Sequence, residues 1–134
     1  MPFFPDTAFG LAYLAALAVF GCIAWYGGRA QALIAIMAVH WVVMRAICAT
    51  DHLNAALWVA HDTAMVAAML FIGRTVAAKA IAVLFFGALQ FDLYSLIVNG
   101  LHVTQEQFEA TASVGEAVGY ISMLIMAGDR KSVV

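Results

Sequence analysis

Long apolar runs and short polar breaks alternate along the whole chain. The runs fall at about residues 7–26, 30–48, 53–73, 80–98 and 113–127. Each of the first four approaches the roughly 20 residues an α-helix needs to cross a bilayer. The fifth has only about 15, below the usual minimum of roughly 17, and needs flanking residues or a thinner local bilayer to cross. Turn and cap signals fill the breaks: Gly27-Gly28-Arg29, then Thr50-Asp51-His52, a basic turn at 74–79, and Asn99-Gly100. Residues 101–110 are the most polar stretch and read as a loop with a short interfacial helix. Within it Thr104 and Gln107 have capping-box spacing, and Ser113 and Glu116 repeat that spacing at the start of the fifth run. The expected fold is all-α: one transmembrane domain over residues 1–134, a polytopic bundle of five short helices. Four spans plus a docked helix is the fallback.

Composition supports this reading. The chain has 134 residues, 66% hydrophobic and 10% charged, whereas soluble domains carry about 25% charged residues. So apolar a surface needs lipid as its solvent, and the lipid bilayer is the first expected partner. A net charge of −2 offers no basic patch for nucleic acid. The two cysteines, Cys22 and Cys48, each lie in an apolar run and are expected as free, buried thiols. The start of the chain lacks the positive region of a secretory signal, so the first run is expected as a retained span.

Charge in the breaks suggests an orientation. Arg29, then Arg74 and Lys79, then Arg130 and Lys131 fall on one side; Asp6, Asp51, Glu106 and Glu109 fall on the other. Cytoplasmic loops collect Lys and Arg. The expectation is a bacterial-type inner membrane with the N-terminus outside and the C-terminus in the cytoplasm.

Against this apolar background the ionisable residues inside the runs stand out: His40 and Arg45 in the second, His61 and Asp62 in the third, Asp92 in the fourth. Such groups are costly in hydrocarbon, so they face the bundle interior and often mark a pathway. A rise of about 1.5 Å per residue puts His40, His61, Asp62 and Asp92 at roughly 14–18 Å from the cytoplasmic edge and Arg45 at roughly 21 Å. Gln90, Tyr94, Tyr120 and Ser122 fall near the same layer. Asp92, Ser95 and Asn99 form one helical stripe, extendable to His102. Trp41, Arg45, Cys48 and His52 share a face of the second run, with His40 about 140° away from Arg45. In the third run Asn54, Leu57, His61 and Met65 share a face, with Asp62 about 100° further round. The simplest expected pairing is Arg45 with Asp92 or Asp62, as a structural ion pair or part of a pathway. Gly115 and Gly119, and Ala60 and Ala64 within an alanine ladder, are small-xxx-small spacings that let helix backbones approach, within the chain or in a homo-oligomer.

These residues are what an ion or proton permeation component needs: Asp62 and Asp92 to titrate or bind, His61 and His40 to relay, and Arg45 to set the local field. Other readings stay open. The chain fits an accessory subunit of a larger membrane complex, its charges paired across helices or with other membrane subunits. His40 and His61 are candidate axial ligands for haem b in an electron-transfer subunit. Phage holins are equally short and alanine-rich, a resemblance of size and composition, although the tail Asp129-Arg130-Lys131-Ser132 is only weakly basic. No spacing approaches a zinc or copper signature. No Gly-rich phosphate loop, CxxC, HExxH or GxSxG occurs, so enzyme activity without a cofactor is not expected. The orientation is checked with C-terminal fusions in a bacterial host: a fluorescent protein is expected to glow and alkaline phosphatase to stay inactive, and the opposite pattern overturns the assignment.

Overall fold

The computed structural model describes residues 7–27 and 31–128. Asp6, Arg29, Arg130 and Lys131, which carry much of the orientation argument, lie outside the described residues. The protein is all-α, and the described residues form five helices: α1 (Thr7–Gly27), α2 (Gln31–Thr50), α3 (Ala55–Ala68), α4 (Val76–Asn99) and α5 (Gln105–Gly128). A π-helical turn, Met69–Gly73, extends α3. Among the described residues four segments are long and apolar enough to cross a membrane: α2, α3 with its π turn, α4 and α5. Within α1, Gly10–Trp25 is a shorter apolar stretch.

Local chemistry sets the helix ends. Asn54 Oδ1 accepts from Ala56 N at 3.0 Å and starts α3, a role the sequence suggested for Thr50, Asp51 or His52. Thr75 Oγ1 accepts from Ala78 N at 3.0 Å, so α4 begins at Val76 rather than at 80. Gly100, at φ 84°, closes α4 in a backbone region where an added Cβ is strained. The capping box at the start of α5 is formed in full: Gln107 N donates to Thr104 Oγ1 at 3.2 Å, and Thr104 N donates to Gln107 Oε1 at 3.0 Å.

The fifth span is therefore longer than expected. The interfacial helix and the short run at 113–127 are one 24-residue helix. Ser113 caps nothing; its hydroxyl donates to Glu109 O at 3.1 Å, and Glu116 sits well inside the helix. Polar residues at 105–110 made the start of this helix read as part of a loop with a short interfacial helix, but they belong to the continuous α5.

Each helix packs on the next, and α5 packs back on α1, closing a ring. The α3–α4 contact is the most extensive, followed by α1–α5 and α4–α5. Buried positions recur at helical spacing: Gly10, Tyr13, Leu17, Gly21 and Ala24 on α1, and Leu33, Met37, His40, Met44 and Ile47 on α2. Outside, Phe71, Ile72, Val76, Val83, Tyr94 and Ile97 are exposed, as a lipid-facing surface allows. Cys22 is exposed and Cys48 partly buried, both as free thiols, so the expectation of burial fails for Cys22.

Glycine permits the α1–α5 contact. A Cβ on Gly119 would run into the Tyr13 hydroxyl, whereas one on Gly87 would meet nothing. Gly119→Ala is expected to lower stability in detergent by about 1–3 kcal/mol through overpacking. Gly87→Ala is expected to raise it by up to about 1 kcal/mol through helix propensity. Comparable melting temperatures for the two variants would contradict this packing.

Candidate functional site

A polar column crosses the ring. Tyr13 on α1 places its hydroxyl 2.9 Å from His40 Nε2 on α2. His40 Nδ1 lies 2.8 Å from His61 Nε2 on α3. The two imidazoles stack with centroids 4.9 Å apart, and Phe85 of α4 packs edge-on against His40 at 5.4 Å. All three polar residues are buried. A neutral imidazole has one N–H and one bare nitrogen. The column therefore has two self-consistent patterns. Tyr13 donates to His40, which donates to His61; or His61 donates to His40, which donates to Tyr13. Both satisfy every nitrogen in the contacts.

Asp62 follows His61 in sequence but is turned about 100° from it. It faces Asp92 of α4, within hydrogen-bonding reach of its carboxyl. A proton on either carboxyl makes this contact a hydrogen bond; without one it sets like charges together in a low-dielectric interior. Asp62 Oδ2 is buried, and no hydrogen-bond donor among the described residues reaches it.

The histidine pair and the aspartate pair border one cavity of about 40 Å³, lined also by Trp58, Phe85, Phe108 and Thr111. Roughly 10–15 Å³ holds one water, so the space admits about three or four. Trp58 and Phe108 pack together at 5.9 Å on its outer side, and His52 lies edge-on to Phe108 at 5.0 Å. The loops above are tied by Trp58 Nε1 donating to His52 O at 2.7 Å and by a backbone bridge between Asn54 and His102.

The other expected site residues lie elsewhere. Arg45 does not join the aspartates: its guanidinium lies against Gly10 of α1, where a Cβ would stand 2.9 Å from Arg45 Cζ. On the same face, Trp41 Nε1 donates to Gly10 O at 3.0 Å. Rotation around α2 is the reason, since Trp41 and Arg45 lie about 100° and 140° round the helix from His40. Gln90 and Tyr94 are exposed, Tyr94 at 67%. Ser95 is buried and accepts from Asn99 Nδ2 at 3.4 Å. Asn99 Oδ1 accepts from Gln107 Nε2 at 3.2 Å, which ties α4 to α5 beyond the cavity. Gly115 borders the cavity. Ala60 and Ala64 line a wide apolar groove between α2 and α3 instead of a helix contact.

Three contributors were missed in the sequence. Tyr13 carried a signal, as a phenol within an otherwise apolar helix, but tyrosines in such runs usually read as anchors. Thr111 falls between the polar stretch at 101–110 and the apolar run at 113–127, and neither reading covers it. Glu116, assigned to a cap, has a buried Oε2 that no donor among the described residues reaches. It lies near Tyr13 and Tyr120, whose rings meet edge to face at 5.1 Å.

A haem between His40 and His61 does not fit this geometry. Iron would have to separate two nitrogens that contact each other directly and drive a porphyrin between stacked rings. No family model, curated protein or solved structure matches the chain.

Independent surroundings for Arg45 and Asp92 have a measurable consequence. A double-mutant cycle of Arg45→Met and Asp92→Asn is expected to show coupling below about 0.5 kcal/mol, against about 0.5–3 kcal/mol for Asp62→Asn with Asp92→Asn. Strong Arg45–Asp92 coupling would restore the ion pair.

Proposed function

We propose that the bundle is a proton permeation component of a membrane, with the buried layer as its path. The observation that carries this reading is the unbroken Tyr13–His40–His61 column beside a cavity bordered by Asp62 and Asp92. A proton arriving at one end of such a column passes along it by switching one hydrogen-bond pattern to the other. Waters in the cavity would carry it between His61 and the aspartate pair, and Glu116 beside Tyr13 would receive it at the far end. Arg45 has no part in the transfer in this reading; it anchors α2 on α1. Orientation with the N-terminus outside, and a bacterial-type inner membrane, belong to the same proposal.

The test is proton uptake by liposomes in sodium-free medium under a potassium diffusion potential, read with an internal pH dye. The intact protein is expected to acidify the lumen. Asp92→Asn and His40→Phe are expected to fall to the level of empty liposomes while inserting normally. Full uptake by Asp92→Asn, or none by the intact protein, would remove the reading.

A second reading, an accessory subunit of a larger membrane complex, is favoured by the groove between α2 and α3. It is apolar, about 620 Å³, and floored by small residues such as Ala32, Ala35, Ala60 and Ala64, the kind that admit a neighbouring helix. It predicts co-purification with other membrane proteins and no flux alone.

A further inference from the structure

We propose that the cavity between Asp62 and Asp92 binds a monovalent cation of sodium size, stripped of most of its water. The inference deepens the permeation reading and rests on it in one respect: the cavity it assigns is the one beside the proposed proton column.

The ligand set points to a hard, singly charged ion. Asp62 is only 6% exposed, yet its Oδ2 receives no donor from the described residues. A buried carboxylate oxygen left this way has lost its water without replacement. Its neighbour is a second carboxyl, Asp92, so the aspartate pair adds acceptors rather than donors, and the neutral imidazoles on the same cavity bring no charge. What the site lacks is positive charge. Thr111 borders the same space. Its hydroxyl donates backwards to Phe108 O at 3.0 Å, which leaves oxygen lone pairs free to face a cation. Trp58, Phe85 and Phe108 complete the wall.

Size and charge narrow the choice. About 40 Å³ holds one small ion with one or two waters, giving roughly four or five oxygens in all. Calcium takes 6–8 oxygen ligands, and magnesium demands a near-ideal octahedron and dehydrates reluctantly. Neither is satisfied here, because the backbone carbonyls around the cavity are engaged within helices. Once one proton lies between the carboxyls, a single negative charge is left, which one monovalent ion balances.

The experiment is thermal melting of the detergent-purified full chain, followed by tryptophan fluorescence. Sodium chloride replaces choline chloride at constant ionic strength, so general screening is unchanged. For the intact protein the melting temperature is expected to rise with the logarithm of sodium concentration, as binding to the folded state alone requires. Asp62→Asn and Asp92→Asn are expected to melt cooperatively in choline but not to respond to sodium. Thr111→Val keeps both carboxyls and is expected to need about 10–100-fold more sodium for the same shift. Equal melting in sodium and choline overturns the inference, as does a sodium shift that survives both aspartate variants. Proton uptake in sodium-free liposomes tests the permeation reading alone. Uptake without a sodium shift removes only the cation site, and a sodium shift without uptake removes only the proton path.

Discussion

The contact between His40 Nδ1 and His61 Nε2, at 2.8 Å, ties the interior of the ring together. Imidazoles buried in an apolar bundle need partners, because an unpaired polar group there loses its water without replacement. Each ring nitrogen in the contact has one partner, and the outer nitrogen of His40 finds Tyr13. Three helices are thereby fixed in rotation as well as in position. Turning α2 by one residue would carry His40 out of the column and expose it to lipid. The stack also sets the depth at which α1 docks, since Tyr13 must reach across to His40 while its ring rests over Gly119 of α5.

That single requirement sorts the remaining polar groups. With His61 turned toward α2, Asp62 is turned toward α4 and meets Asp92. With His40 turned inward to Tyr13, Arg45 and Trp41, about 100–140° further round α2, meet α1 at Gly10 instead of reaching the aspartates. The buried charges therefore form separate sites rather than one ion-paired layer. Aromatic rings isolate the acidic site: Phe85 beside His40, and Trp58 with Phe108 on the loop side. The two tied loops hold those rings in place, through the His52–Gln105 contact at 2.8 Å and the His102–Asp51 pair at 3.3 Å.

Some of this was legible in the sequence. The all-α class followed from the length of the apolar runs, because a chain in lipid must satisfy its backbone internally. The Thr104–Gln107 box was legible because its bonds are local. Two boundaries were misplaced, at the starts of α4 and α5, where the helices run beyond their apolar cores. The histidines and aspartates were recognisable as interior residues from their cost in hydrocarbon. Their pairing was not. Arg45 and Asp92 looked like partners because opposite charges at similar depth attract, yet depth says nothing about rotation.

By itself the sequence determined the kind of solvent the chain suits, its helical class and the residues that have to hide from lipid, since each depends on composition, length or neighbours within one helix. Which faces meet was decided only by the tertiary structure. Lipid is as apolar as leucine, so hydrophobicity does not mark the inward face of such helices. Small and polar residues mark it instead: Gly10 under Arg45, Gly119 under Tyr13, and His40 against His61. These are contacts between residues far apart in the chain. They exist only once five helices have closed into a ring, because closure brings α5 back to α1 and the aspartates of α3 and α4 to one cavity.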